Sequence, residues 1–154
     1  DDVQFERFDI TSLISGVLQS LDILIEQKEA QVIFRHKNPV YVWADEFKVE
    51  QVVRNYVNNA LNHVDGEKVI EIKITQENDM AKITVFNTGT PIPEEDLPHI
   101  WEKFYKVDKA RTREYGGNGI GLSIVKAIMD SFGKGYGAIN HTNCVEFWFE
   151  LDMK

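Results

Sequence analysis

Cysteine is almost absent: Cys144 is the only one in 154 residues. A lone thiol excludes any disulfide within the chain and fits a reducing compartment without requiring one. Proline is scarce, and two of the four, Pro91 and Pro93, open one polar stretch. No apolar run is long enough to cross a bilayer. No charged-then-apolar signal peptide opens the chain. Positive charge is the scarcer sign, with 17 Lys and Arg against 25 Asp and Glu, a net −8. That balance argues against a nucleic-acid-binding surface and gives no sign of a membrane-seeking one.

What is present suffices for a folded unit. A length of 154 residues fits one domain, and 43% apolar residues supply a core and argue against disorder. The abrupt opening DDVQFERFD reads as the start of a fragment of something longer.

Hydrophobic periodicity gives the elements. FERFDI (5–10) reads as a short edge strand. Residues 10–30 carry Leu13, Val17, Leu18, Leu21 and Leu24 at helical spacing, with Asp9 or Thr11 as cap. QVIFRH (31–36) and VYVW (40–43) read as strands around a turn at Lys37–Pro39. Residues 45–64 form a second helix, capped by Asp45, with Val49, Val52, Val53, Tyr56, Val57, Ala60, Leu61 and Val64 on one face. VIEIKIT (69–75) and AKITVFN (81–87) alternate apolar and polar about a hairpin turn at 77–79. Residues 88–118 form a long polar loop, with a short helical turn expected around Asp96–Phe104. A third long helix is expected over 119–132, stopped by Gly133. GYGAINH (135–141) and CVEFWFEL (144–151) read as a closing hairpin. Helices and hairpins together predict an α/β sandwich, sheet on one side and helices on the other.

Four stretches carry chemistry. Asn55, Asn59 and Asn62 recur at i, i+4 and i+7, with Asn58 beside them. Asparagine is a mediocre helix former, so the cluster is either a solvated face or a row of amide oxygens for a hard cation. Magnesium takes few protein ligands and keeps substrate phosphates as the others. Asn87 ends a strand with Gly89 two residues on, which is a plain turn or the edge of a pocket. There its amide accepts from one purine atom and donates to another. Lys103, Lys106, Lys109, Arg111 and Arg113 gather within eleven positions around Phe104 and Tyr105. Such a mixture serves single-stranded nucleic acid in other settings, but on an acidic domain a cationic lid for a polyphosphate is more economical. Finally, YGGNGIGLSIV (115–125) alternates Gly117, Gly119 and Gly121 at a helix start. Free N–H groups and the helix dipole there make a phosphate seat, and the glycines alone serve equally as a hinge. The dinucleotide fingerprint and the Walker loop both fail, because Leu122 stands where each needs a different residue.

In this order the four pieces resemble the catalytic, ATP-binding domain of bacterial sensor histidine kinases, of the ATPase superfamily shared with gyrase (the GHKL ATPases). NYVNNALNH (55–63) resembles the N box, WEKFYK (101–106) the F box and GGNGIGLSIV (116–125) the second glycine box, and the match covers nearly the whole chain. The resemblance implies a two-layer α/β sandwich, a mixed, largely antiparallel sheet on three helices, with a mobile ATP lid. It implies ATP and magnesium as cofactors, with Asn59 on the metal and Asn55 beside the phosphates. Asn62 and His63 complete that helix's share of the site. Asn87, Gly89 and Ile92 fall at the adenine, and Phe104, Tyr105 and Lys106 in the lid. Lys106 stands where the F box usually has a phosphate-contacting arginine, which makes it a catalytic candidate with Asn55. Gly117, Asn118, Gly119, Ile120, Gly121 and Leu122 would line the phosphate path.

The chain also departs from the family. Asn87 replaces the aspartate that reads the adenine amino group, Pro91 a glycine and Asn62 a common lysine. Cys144, in NCVEF, lies near a glycine of the last glycine-rich segment. The family's proposed catalytic acid falls on Gln51, with Glu50 beside it. None of His36, His63, His99 and His141 begins an acceptor-histidine segment. The acceptor is therefore expected on a separate dimerisation and histidine-phosphotransfer domain. The whole chain, 1–154, is expected to be one catalytic domain, the cytoplasmic part of a membrane-bound receptor. It would serve a cognate response regulator, with no nucleic-acid partner and no membrane contact of its own. Two rivals are a superfamily enzyme that hydrolyses ATP for conformational work and a docking module that has kept the fold but lost ATP.

Overall fold

A computed structural model describes residues 2–105 and 121–154. The described chain runs β1 (Glu6–Asp9), α1 (Ile10–Ser20), α2 (Asp22–Gln27), β2 (Gln31–Phe34), β3 (Tyr41–Ala44), α3 (Glu46–His63), β4 (Val69–Glu77) and β5 (Met80–Thr88). A 3-10 turn at Leu97–His99 follows, then α4 (Gly121–Phe132), β6 (Tyr136–His141) and β7 (Cys144–Met153).

Each helix start has its physical cause. Asp9 accepts from Thr11 N at 2.9 Å to open α1, and Asp45 accepts from Lys48 N at 3.2 Å to open α3. Side-chain oxygens there satisfy amides that have no partner inside the helix. α4 ends at Gly133, whose φ of 66° suits glycine. Its amide and that of Lys134 reach back to Asp130 O and Met129 O, which closes the last turn.

The strands form one seven-stranded sheet in the order β1-β3-β7-β5-β4-β2, with β6 also on β7. Only β2 and β4 pair in parallel among the registered pairs, so the sheet is mixed and largely antiparallel. The β4–β5 hairpin turns on Asn78 and Asp79, at φ 53° and 62°. Two left-handed residues in succession match the twist of the flanking strands.

Alternation along the long strands decides which face is core. Ile70, Ile72 and Ile74 of β4, Ala81, Ile83 and Val85 of β5, and Val145, Phe147, Phe149 and Leu151 of β7 all turn inward and are buried. They meet the apolar faces of α1, α3 and α4. Removing such a side chain from water contributes about 1.5–3 kcal/mol each. Tyr56 of α3 sits at the centre, 5.4 Å from the Phe147 ring and 5.9 Å from Phe149. Its hydroxyl donates to Trp148 O at 2.9 Å. The helical layer is thus α1, α3 and α4 over one face of the sheet, an α/β sandwich as expected.

Two expectations need correction, and one pair of expected strands is found but set apart in the sheet. The helix over 10–30 breaks at Leu21, which leaves the helical region (φ −102°, ψ 10°). α1 fully buries Ile10, Ile14 and Val17, whereas in α2 only Leu24 and Ile25 pack against the core and neither is fully buried, so packing holds the second half in line less tightly. β2 and β3 flank a turn but do not pair; they lie toward opposite edges of the sheet. The helical turn over 96–104 shrinks to three residues around Pro98, which has no N–H to extend a ladder.

Candidate functional site

Among the described residues, six polar or charged side chains are buried: Thr11, Asp45, Asn59, His63, Asn87 and Asp96. Thr11 and Asp45 hold helix starts and their neighbours. The other four lie in the later turns of α3, at the end of β5 and in the loop that leaves it. Buried polarity is costly unless it is bonded or serves a ligand, so this end of the sandwich is the place to look for chemistry.

α3 supplies the first wall. Asn59 is 2% exposed, Asn55 and Asn58 are half-buried, and Asn62 is exposed. Asn55 Nδ2 donates to Gln51 O at 2.9 Å, which fixes its amide and turns Oδ1 away from the helix axis. His63 closes the helix with Nε2 2.6 Å from Thr90 O. That bond ties the N-box helix to the loop after β5.

β5 supplies the second wall. Asn87 has no exposed surface. It lies in one inward row with Val145 of β7 and Asn140 of β6, because register pairs Asn87 with Val145 and Val145 with Asn140. Its Nδ2 donates to Thr88 O at 3.1 Å. The amide is thereby oriented: the nitrogen faces a carbonyl and Oδ1 faces the other way. Oδ1 is buried and has no hydrogen-bond partner among the described residues. Held in this orientation, the amide turns its oxygen, an acceptor, toward whatever fills that side.

Gly89 is required by this arrangement. Its φ is 149°, and a Cβ there would come within 2.9 Å of His63 O and 3.5 Å of Asn87 Nδ2. Its amide donates to Asn143 O at 2.9 Å. Ile92, 1% exposed, is held by Asn140 on both sides: Ile92 N donates to Asn140 Oδ1 at 3.0 Å and Asn140 Nδ2 to Ile92 O at 2.7 Å.

Asn140 was missed in the sequence. The signal existed: it shares the inward row of β6 with Ala138 and Tyr136, and a lone amide on an apolar face needs a partner. Leu122 is buried at 3% exposure and Gly121 is half-buried at the start of α4. α4 packs against α3, which sets the described part of the second glycine box, Gly121 onward, on a helix beside the asparagine helix.

The F box lies at the rim. Ile100 is buried, and the Trp101 ring packs edge-on against Tyr136 (4.9 Å) and Phe147 (6.0 Å). Phe104 is 62% exposed, with Lys103 Nζ 5.4 Å above its ring. The Tyr105 hydroxyl turns back to Asp96 Oδ1 at 2.5 Å. That hydrogen bond first, then burial and neighbouring carboxylates, raise the phenol above its ordinary pKa. Lys106, Gly117, Asn118, Gly119 and Ile120 lie outside the described residues, as do Lys109, Arg111 and Arg113.

The acid positions also have their places. Glu50 is engaged by Arg54 at 2.9 Å, and Arg54 reaches Ser20 Oγ of α1 at 3.0 Å. Glu50 therefore serves the α1–α3 contact, while Gln51 presents its carbonyl to Asn55. Among the described residues no group of three His, Cys, Asp or Glu side chains is placed to hold a metal. No helix there is long and apolar enough to cross a membrane.

Comparison with known proteins agrees with this geometry. Residues 44–154 match the model of the family described as histidine kinase-, DNA gyrase B-, and HSP90-like ATPase. The chain is 35% identical over 138 residues to the sensor histidine kinase YkoH of Bacillus subtilis (strain 168), covering 86% of this chain and 28% of YkoH. It spans roughly a quarter of the length of such curated relatives. Among solved structures, the catalytic domain of histidine kinase ThkA superposes with a TM-score of 0.85 at 28% identity, covering 97% of this chain and 95% of that one. ThkA in complex with the response regulator protein TrrA superposes at 0.80 and 26% identity, covering 99% and 42%. The chain belongs to the histidine kinase-, DNA gyrase B- and HSP90-like ATPases, as the ATP-binding domain of a two-component sensor kinase.

Proposed function

We propose that this domain binds magnesium-ATP and donates the γ-phosphoryl group to a histidine on the separate dimerisation domain of the same receptor. The observation that carries the reading is the buried Oδ1 of Asn87, without a hydrogen-bond partner among the described residues. Burying an acceptor costs about 1–3 kcal/mol unless a donor arrives, and the 6-amino group of adenine is such a donor. The residues present therefore fit the base.

They fit the metal as well. A magnesium ion between phosphates needs few protein ligands and no carboxylate cluster, and Asn59 is the buried asparagine of the helix. Asn55, held by Gln51 O, faces the phosphates beside it. Gly121 and Leu122, at the start of α4, together with Gly117, Asn118, Gly119 and Ile120 ahead of them, line the phosphate path, and Lys106 neutralises charge from the lid. When bound, magnesium neutralises the phosphate oxygens.

The chain's own work is positioning and electrostatics. The acceptor imidazole nitrogen attacks the γ-phosphorus, the bond to the bridging oxygen breaks, and ADP leaves. Because Glu50 is tied to Arg54, this reading assigns no general base to it. The phosphohistidine then serves a cognate response regulator, as the ThkA–TrrA complex supports. The domain would sit on the cytoplasmic side of a membrane receptor.

Calorimetry with a non-hydrolysable ATP analogue, with and without magnesium, tests the reading. Binding that strengthens with magnesium, and loses that dependence in Asn59→Ala, supports it. An unchanged magnesium dependence in that variant refutes the metal assignment. No binding at millimolar analogue replaces the reading with the docking module.

A further inference from the structure

Residues 91–93 read Pro-Ile-Pro. Proline has no N–H, so Ile92 holds the only backbone donor of the three, and the segment cannot join the sheet as an ordinary strand. Ile92 is nevertheless 1% exposed, and a buried N–H and C=O each need a partner. One side chain supplies both. Asn140 Oδ1 accepts from Ile92 N at 3.0 Å, and Asn140 Nδ2 donates to Ile92 O at 2.7 Å. The two bonds imitate one rung of a strand ladder. With both backbone groups held, the place of Ile92 and the direction in which its side chain leaves are fixed together.

That rung has a definite relation to Asn87. Asn87, Val145 and Asn140 are neighbours across β5, β7 and β6, and adjacent strands lie about 4.8 Å apart. Asn87 and Asn140 are therefore roughly 10 Å apart, with buried Val145 between them. Asn140 belongs to the inward row, so the Ile92 backbone that meets its amide stands on the inner face, over the far end of the row. The chain that leaves Asn87 at one end thus returns over the other. Its passage is held twice on the way. Gly89 N donates to Asn143 O at 2.9 Å, at the tip of the β6–β7 hairpin, and Thr90 O lies 2.6 Å from His63 Nε2.

We infer that Asn140 is a positioning residue for the base: through the backbone of Ile92 it sets the wall that stands opposite Asn87 across Val145. This rests on the reading of Asn87 as the acceptor for adenine, and it gives Asn140 no contact with the nucleotide. Asn87 Oδ1 offers a flat base one hydrogen bond, which by itself leaves the base free to swing. A buried aliphatic wall held at a fixed separation removes that freedom before the ligand arrives, and such preorganisation raises affinity by lowering the cost of ordering. In the same reading the phosphates are met from α3 and α4, so Asn140 acts on the base alone.

The test measures adenosine, and a non-hydrolysable ATP analogue with and without magnesium, on the intact chain. The variants are Asn140→Ala, Asn140→Asp, Ile92→Ala and Asn140→Ala combined with Ile92→Ala. Asn140→Asp keeps the size of the side chain but exchanges its donor for an oxygen that opposes Ile92 O. It and Asn140→Ala are each expected to weaken adenosine and the analogue by the same factor, about five- to tenfold. The ratio of analogue affinities with and without magnesium should not move, whereas a general loosening of the domain would reach the metal as well. Once Ile92 is truncated, Asn140→Ala should cost no further affinity, because it acts through that side chain. A loss confined to the analogue, a changed magnesium ratio, additive losses in the double variant or an unchanged affinity in Asn140→Asp overturns the inference. Absence of analogue binding by the unaltered protein overturns it together with the functional reading; analogue binding that the variants leave as it was overturns it alone.

Discussion

Asn87 makes the sharpest prediction, because its amide is held in one orientation. Replacing adenine with hypoxanthine exchanges the 6-amino donor for a 6-oxo acceptor. To donate to the new oxygen the amide would have to turn over, which would set Oδ1 against Thr88 O, the carbonyl that Nδ2 now meets at 3.1 Å within a fully buried side chain. Inosine triphosphate would therefore set oxygen against Oδ1. The loss is one hydrogen bond plus an acceptor left buried without a donor, about 1–3 kcal/mol, or roughly 5- to 150-fold in affinity. Calorimetric titration with ATP and inosine triphosphate, both with magnesium, measures it. Asn87→Leu keeps a side chain of similar size and removes both amide atoms. Thr88 O retains Asp65 N at 2.9 Å, so that variant leaves no buried carbonyl orphaned. In Asn87→Leu the preference for adenine should collapse toward unity. Equal affinities for the two nucleotides in the unaltered protein, or a preference that survives Asn87→Leu, would refute the reasoning.

Other outcomes follow from the same geometry. Gly89→Ala sets a methyl 2.9 Å from His63 O at a φ of 149°, so it should lower stability by more than about 1 kcal/mol, read by chemical denaturation. Burial pushes the Asp9 carboxyl up, but bonds from Ser12, Val40 and Thr11 outweigh it and hold the group below its ordinary value of 3.8. Its contribution is therefore full above that pH and disappears as pH falls below it. Asp9→Ala should cost about 1 kcal/mol at neutral pH and progressively less in acid. Burial holds the Tyr56 phenol well above its ordinary value of 10.0, with the neighbouring Tyr136 adding to the rise. Stability should thus be full below that pH and fall as pH rises past it. Tyr56→Phe, compared in alkaline thermal melts, should flatten that decline.

Much of the architecture was legible because it rests on local rules. Alternation in 69–75 and 81–87 is a statement about which side of a pleat each residue occupies, and the buried rows of β4 and β5 follow it. Asp45 and Gly133 are local signals as well, since a cap bonds within three residues and a stop needs one left-handed position. The Asn55/Asn59 spacing was visible for the same reason, because helix geometry alone places residues four apart on one side.

Other features belong to no local window. The break at Leu21 was hidden because the apolar spacing runs on through it; what changes is the depth of burial, full in α1 and partial in α2. β2 and β3 look like neighbours in the chain, yet strand partners are chosen by the whole sheet. Asn62 and Asn59 are alike in sequence, and only the packing of α3 on the sheet and α4 makes one exposed and the other buried. The hydrogen bond from Tyr105 to Asp96 closes a loop that no spacing announces.

The sequence by itself determined the helix and strand faces, their caps and turns and the inventory of amides, glycines and cations, because these depend on backbone periodicity and on neighbours within a few residues. Tertiary structure alone decided that the Asn87 amide turns its nitrogen to Thr88 O and its oxygen the other way, that Asn140 clamps Ile92 and that Glu50 pairs with Arg54. Each of those depends on which groups from distant segments meet after water has been removed, and on how the hydrogen bonds left to them are shared.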